Sequence, residues 1–465
     1  MGGDLIMRVY IETYGCQMNE YDSELLRSIL TETGHELAAA PEAAQAVLLN
    51  SCAIRENAHE KIFHRLDDLK GLRRRGQPGL IVGVLGCMAQ NLKEKLFAHP
   101  SVNLVVGPDN YRAIPQLLAR AAAGQTHQID ADLSEYELYE NVAPARISGV
   151  NAWVAVMRGC DNFCTFCVVP YTRGRERSRS PEAVLSEVRA LAALGHVQVT
   201  LLGQNVNSYR SGAYEFAELI REVADVPGIR RVRFTSPHPK DFPRNLLQAI
   251  ASHPHICKQI HLPLQAGSDR ILEKMNRTYS LSDYFSLLGE IRQLIPQVSV
   301  TTDLIVGFPT ESEEDFLQTF RAVEKARFDA AYIFKYSERA GTIAQRKWED
   351  DVPVETKTDR IVRLFERQRA LSLERNRARV GCVLEVLVEE PAGRRAGYWR
   401  GKSEANTTVI FASQDASAGS WARVQVCEAS SSTLYGRVVS LDPAPKTLQA
   451  MSAVSQETRR LPLVP

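Results

Sequence analysis

Three cysteines, Cys160, Cys164 and Cys167, fall within the eight residues CDNFCTFC. Clustered thiolates bind soft metals, and this set is one short of the four ligands at which structural metal sites usually close. No C-x-x-C or H-x-x-x-H partner lies nearby, so zinc would need a distant histidine. A 4Fe–4S cube fits better. Each of its irons takes one outer ligand, normally a cysteine thiolate, so three cysteines leave one iron open to a small molecule. Nine cysteines in 465 residues are too few for a disulfide scaffold. Their crowding favours metal binding in a reducing compartment.

A second trio is dispersed. Cys16, Cys52 and Cys87 each end an apolar run: MRVYIETYGC, AVLLNSC and GLIVGVLGC. Helical patterns separate the runs. SELLRSILTET puts Leu25, Leu26, Ile29 and Leu30 on one face, with Gly34 where a C-cap belongs. ENAHEKIFHRLDDL carries Ile62, Phe63, Leu66 and Leu69 in register. This alternation predicts an α/β domain with a parallel sheet over residues 7–125. All strand C-termini of such a sheet lie at one edge, so three thiols remote in sequence should converge there. A second metal cluster is the expectation. Cys257, Cys382 and Cys427 are expected to be ordinary buried thiols.

Residues 126–146, acidic and tyrosine-containing, read as a linker. Over 147–378, six strand candidates (152–158, 197–202, 231–235, 258–263, 298–306 and 328–335) alternate with helices. Ser180 is the N-cap of the first helix, Pro181 its first residue, and Gly195 follows its end. Six βα units predict a partial (β/α)6 barrel, open at one side, with chemistry at the C-terminal mouth of the strands. The CDNFCTFC loop follows the first strand and lies at that mouth. Residues 379–440 hold five short strands, predicting a small antiparallel OB-like β-barrel of a kind that often binds RNA. The Pro/Ser/Ala-rich tail, 441–465, reads as loose.

The C-x-x-x-C-x-x-C spacing after the first strand of a βα barrel resembles the radical S-adenosylmethionine (SAM) superfamily. That resemblance implies a 4Fe–4S cluster on Cys160, Cys164 and Cys167 whose open iron chelates SAM and cleaves it to a radical. Where many members carry a Gly-rich, acidic-ended motif for the SAM amino group, this chain has Gly203, Gln204 and Asn205. HLPLQAGSDRILEKMNR and TTDLIVGFP bring Gln265, Ser268, Arg277 and Asp303 toward the mouth. Arg277 is a candidate partner for the SAM carboxylate. With the second trio, the chain over about 7–440 resembles the methylthiotransferases, which join an N-terminal three-cysteine domain, a radical SAM barrel and a TRAM domain. TYGCQMNEYDSE, NSCAIRENA, GCMAQ and CTFCVVPYTRGRERSR resemble the tRNA branch, which methylthiolates N6-isopentenyladenosine beside the anticodon. GKSEANTTVIF resembles the TRAM signature, with Gly401, Ser403, Asn406, Val409 and Phe411 in place. The implied cofactors are two 4Fe–4S clusters and SAM, which serves as methyl donor and radical source. The auxiliary cluster on Cys16, Cys52 and Cys87 would carry sulfur, and the N-terminal sheet edge should oppose the barrel mouth.

The net charge is +1, but residues 357–379 hold eight basic and three acidic residues, and TRGRERSR (172–179) holds four arginines and one glutamate. RRR at 73–75 is a third cluster. Together they favour a polyanionic partner. The resemblance makes that partner the anticodon stem-loop of tRNA. Arg173, Arg175 and Arg177 are then expected to hold the loop, Lys402 and Asn406 to contact RNA from the small barrel, and Tyr14, Asn19 and Glu20 to touch the base, although Asn19 also suits helix capping. No apolar run approaches the ~20 residues of a membrane span, and the N-terminus lacks a secretory pattern. A cytoplasmic monomer is expected, served by an electron donor such as flavodoxin or ferredoxin. The alternatives are methylthiolation of threonylcarbamoyl-adenosine in tRNA, methylthiolation of a ribosomal-protein aspartate, and a non-catalytic zinc-dependent RNA-binding protein.

Overall fold

The computed structural model describes residues 6–53, 56–146, 150–393 and 397–444. The N-terminal sheet contains β1 (Arg8–Tyr14), β2 (Glu36–Leu37), β3 (Ala46–Ser51), β4 (Ile81–Gly86), β5 (Leu104–Val106) and β6 (Gln128–Asp130). They run in the order β2-β1-β3-β4-β5-β6, and every pairing is parallel. The central strands β3 and β4 are buried along their whole length, as parallel strands covered on both faces must be. α1 (Gln17–Glu32) and α2 (Glu56–Arg74) cover them. Gly34, at φ +86°, lies just past the end of α1. Ile62, Leu66 and Leu69 of α2 are buried as expected, but Phe63 is exposed.

Residues 126–146 are not a free linker. Residues 128–130 extend the sheet, and Tyr139 is buried, with its hydroxyl donating to the Pro108 carbonyl at 3.1 Å and accepting from Tyr111 N at 3.0 Å. Composition showed the segment's charge but not the one ring that anchors it.

The six expected barrel strands are present: β7 (Asn151–Ala155), β8 (Gln198–Leu202), β9 (Arg231–Phe234), β10 (Gln259–His261), β11 (Ser299–Val306) and β12 (Ala330–Lys335). They form two parallel triplets, β9-β8-β7 and β10-β11-β12, linked by a bridge between Val232 and Ile256. The Ser180 cap accepts from Ala183 N at 3.3 Å, and its helix runs Pro181–Ala193. Arg179 donates to Glu187 of that helix at 2.7 Å and to the Tyr21 hydroxyl of α1 at 3.1 Å. Arg146 bonds both Glu24 and Glu187. α1 is thereby pinned to the barrel wall.

β13 (Val383–Pro391), β14 (Tyr398–Ser403), β15 (Thr408–Ala412), β16 (Trp421–Ala429) and β17 (Thr433–Asp442) close a barrel in the order β13-β14-β15-β17-β16. It is not wholly antiparallel: β15 and β17 pair in parallel, because the chain crosses through β16 before returning. β17 runs past residue 441, and Ala444 is buried; the rest of the expected tail lies outside the described residues. Cys257 is buried, whereas Cys382 and Cys427 are exposed. Among the described residues no helix is long and apolar enough to cross a membrane.

Candidate functional site

The dispersed cysteines gather as the strand order requires. Tyr14 of β1 pairs with Ser51 of β3, and Ser51 with Gly86 of β4. Cys16, Cys52 and Cys87 therefore stand one or two residues beyond a single row of the sheet. Cys16 caps α1, and its amide and sulfur both face Asn19 Oδ1, at 3.3 and 3.4 Å. Asn19 is fully buried and also donates to Asn50 and Ser51. It braces the sheet edge and is not placed to touch a base, so the capping role holds. Tyr14 is half-buried and donates to Glu12 at 2.7 Å, while Glu20 is exposed.

The clustered trio sits on a loop fixed from three sides. Cys160 N donates to the Gly174 carbonyl at 3.1 Å, Gly159 N donates to Gln204 Oε1 at 2.7 Å, and Thr165 bonds the carbonyls of Met275 and Lys274. From this loop, α3 (Val169–Arg173) returns toward the N-terminal domain. Val168 shares a small buried cluster with Cys87 and Ala53, so the residue next to Cys167 lies close to a member of the other trio. Arg173 completes the junction by donating to Cys87 Sγ at 3.2 Å and to Asp22 at 2.7 Å. Arg158, just before the loop, bonds the other oxygen of Asp22 at 2.6 Å. Burial drives the Asp22 carboxyl up, but Arg158 and Arg173 hold it below the usual carboxylate range. The sheet edge thus opposes the barrel mouth.

These contacts correct the expected roles of two arginines. Arg173 and Arg177 are buried, the latter held by Asp109 at 3.0 and 3.1 Å. Neither can reach a phosphate. Arg175 alone of the three is exposed, paired with Asp161 and lying over the Phe163 ring at 4.8 Å.

Burial raises the Cys160 thiol to about 11 and the Cys167 thiol to about 12, and also raises Cys87. A hydrogen bond with Cys52 lowers Cys16, against burial and with help from Arg173. Buried neighbouring thiolates need cations to be stable, and a bound metal would supply them. Arg277 shows the same demand from the other side. It is buried and donates to Cys164 Sγ at 3.3 Å, to the Tyr279 hydroxyl at 3.0 Å and to the Pro263 carbonyl. Its two ionisable partners are that sulfur and the Tyr279 hydroxyl, and the thiol is by nature the stronger acid. The donor set fits a cluster in each place. Among the described residues no three His, Cys, Asp or Glu side chains close around one point, so what gathers each trio is its place in the fold.

Other expected SAM contacts divide. Asn205 is buried and donates to Glu176 and Asp241, and its Oδ1 has no partner. A free buried acceptor beside two carboxylates suits an ammonium group. Gln265, at φ +69°, bridges to Leu304 at the strand ends. Ser268 is buried and spent on Asp315 at 2.6 Å, which removes it from the cofactor set. Asp303 faces the lumen but pairs with His261 Nε2 at 3.0 Å, while His261 Nδ1 contacts Thr301 Oγ1 at 2.9 Å. Tyr332 and Phe334 of β12 are exposed on the same side as Asp303 and Ile305, their register partners. Sequence reading missed Asp22, Arg158, His261 and Tyr332. The alternation of inward residues at the strand ends was the available signal for the last two.

At the far end of the barrel, Arg231 donates to the carbonyls of Lys402 and Glu385 at 2.8 and 2.9 Å, and Arg233 to those of Ser403 and Glu404 at 2.7 and 2.9 Å. The small domain is bolted to the barrel base through the segment that contains its signature. Lys402 is half-buried and bonds Thr408, and Asn406 supplies the left-handed turn (φ +61°) between β14 and β15. One of the three Lys402 donors is spent on Thr408. α4 (Val354–Arg377) is also less basic at its surface than its composition implies. Lys357, Arg360, Arg363, Arg367 and Arg375 pair with Asp350, Glu311, Glu313, Glu324 and Asp329, and Arg379 beyond it shares Asp329. Arg369 and Arg377 remain exposed.

Sequence models of three families match the chain: the radical SAM superfamily over residues 154–323, the Uncharacterized protein family UPF0004 over 8–107 and the TRAM domain over 377–439. The chain is 46% identical over 440 residues to the tRNA-2-methylthio-N(6)-dimethylallyladenosine synthase of Bacteroides thetaiotaomicron, covering 93% of this chain and 96% of that one. It is 46% identical over 434 residues to the protein of the same name from Prosthecochloris aestuarii, covering 92% and 98%. Among solved structures it resembles in fold the radical S-adenosylmethionine methyltransferase TsrM of Kitasatospora setae, with a TM-score of 0.55 and 14% identity over 85% of this chain and 81% of that one.

Proposed function

The chain belongs to the tRNA-2-methylthio-N(6)-dimethylallyladenosine synthase family, and on that premise we propose that it puts a methylthio group on C2 of N6-isopentenyladenosine beside the anticodon of tRNA. The observation that carries this reading is the junction between the two trios: Arg173, six residues past Cys167, donates to Cys87 Sγ at 3.2 Å, and Val168 shares a buried cluster with Cys87. Cys160, Cys164 and Cys167 would hold one 4Fe–4S cluster, and Cys16, Cys52 and Cys87 the other. When bound, the first supplies an open iron for SAM and its reductive cleavage, and the second carries the sulfur to be methylated and transferred. A purine C2–H is not acidic enough for a side-chain base near neutral pH, and no base is assigned.

The chain's own residues would confine the reaction. Asn205 Oδ1 can accept from the SAM ammonium group, and Arg277 can reach its carboxylate. Tyr332 and Phe334 offer apolar faces in the lumen for a flat base. Arg175 beside Phe163 marks the rim where the RNA backbone would enter. An external electron donor is still required.

Mass spectrometry of bulk tRNA from a strain lacking this gene tests the substrate. The methylthio-isopentenyl nucleoside should vanish and its unthiolated precursor accumulate. Retention of the methylthio-isopentenyl nucleoside would overturn the assignment and favour the threonylcarbamoyl or aspartate alternatives. Anaerobically purified protein should hold about eight irons, two cubes, whereas a zinc RNA-binding protein would hold none. Replacing all three cysteines of either trio by alanine should halve the iron.

A further inference from the structure

Each trio has one sulfur that accepts a hydrogen bond from a buried arginine. Cys87 takes it from Arg173 Nε at 3.2 Å, and Cys164 from Arg277 Nη1 at 3.3 Å. The two arginines come from different walls. Arg173 ends the short helix behind Cys167, and Arg277 lies beyond the fourth barrel strand. Neither has a carboxylate to itself. Arg173 shares Asp22 with Arg158, which leaves that buried group with one surplus positive charge. Among the described residues no carboxylate pairs with Arg277. Arg158 and Arg173 each also keep a buried Nη1 without a partner. Arginine does not give up its proton inside a protein, so each guanidinium brings its full charge to the sulfur. An N–H···S bond draws electron density from a ligating thiolate, and a nearby cation favours the state that holds one more electron. Both effects raise the reduction potential of an iron–sulfur cluster.

We propose that Arg173 and Arg277 are positioning residues that set the reduction potentials of the two clusters separately, one guanidinium to each. The inference rests on the reading of both trios as cluster ligands. It accounts for a costly arrangement: two buried arginines, one of them, Arg173, in a stretch whose composition suggests a phosphate grip. It also gives the enzyme independent control of two centres that face each other across one site.

The test is a redox titration, followed by electron paramagnetic resonance, on the reconstituted full-length protein without SAM. In the C160A/C164A/C167A background only the auxiliary cluster remains. Adding Arg173→Gln should move its midpoint to a more negative potential, and adding Arg277→Gln should leave it in place. In the C16A/C52A/C87A background the pattern should reverse. Arg173→Lys and Arg277→Lys keep the charge without the fork and should recover part of each shift. If a glutamine variant loads no iron, the lysine variant carries the test, with a smaller negative shift expected. A loaded cluster with an unchanged midpoint would overturn this inference alone. Failure of either triple-alanine background to hold a cluster would overturn the ligand assignment as well.

Discussion

Gly86 and Gly159 each precede a candidate cluster ligand at positive φ, +83° and +80°. A Cβ on Gly159 would stand 1.9 Å from the Arg175 carbonyl oxygen, and one on Gly86 would stand 2.4 Å from Asn50 Oδ1 and 2.8 Å from the Ser51 carbonyl oxygen. Neither contact can yield cheaply, because each involves a group that shapes the loop presenting the cysteine. Gly86→Ala and Gly159→Ala should each lose the adjacent cluster, so that iron falls from about eight to about four per chain. Iron analysis of the purified variants checks this, and full loading in either would show that its loop adapts. The GC dipeptides were plain in the sequence. What they meant was not, because a sequence does not show which carbonyl will lie against a missing side chain. The arginines of TRGRERSR failed for a related reason. Sequence records a charge, but Asp22 and Asp109, the partners that bury Arg173 and Arg177, are remote in the chain.

The turn from the Pro181–Ala193 helix into β8 carries His196, which is buried with neither ring nitrogen hydrogen-bonded. Burial, with a smaller contribution from Arg146, lowers it from 6.5 to about 4. The folded chain therefore binds this proton less readily than the unfolded chain. Its contribution to stability is present above about pH 6.5 and is lost as pH falls toward about 4, by about 3 kcal/mol in all. The denaturant midpoint of wild type should fall through that window while that of His196→Leu does not, so the two should diverge as pH drops. Parallel pH profiles would place the acid sensitivity elsewhere. Helix α4 shows a second consequence of packing. It was legible as a long basic helix, and it is one, but most of its cations neutralise carboxylates of the barrel. Among its arginines, Arg369 and Arg377 are left exposed.

The molecule is held together by charged junctions. Asp22, Arg146 and Arg179 join the N-terminal sheet domain to the barrel, and Arg231 and Arg233 join the barrel to the TRAM domain. Arg230 and Arg231 also stack over Trp421, at 4.0 and 4.5 Å. Replacing both Arg231 and Arg233 by alanine would leave four carbonyl acceptors without their donors, at about 1–3 kcal/mol for each that stays buried. Calorimetry should then resolve a separate, earlier transition for the small domain. Iron content should stay at the wild-type level while tRNA affinity falls. A single transition at the wild-type temperature would show that the domain is held by other contacts.

The sequence by itself determined the elements and singled out the candidate ligands. Strand and helix periodicity gave the parallel sheet, the six-stranded partial barrel and the five-stranded small barrel, because period and turn residues are local properties. Strand-end position singled out Cys16, Cys52 and Cys87, because parallel strands bring their C-termini to one edge. Only the tertiary structure decided that Arg173 serves Cys87 and not a phosphate, that Asp303 pairs with His261, and that residues 128–130 complete a sheet. Those outcomes depend on which buried charge finds which partner across tens of residues, and on whether that partner leaves any charge over.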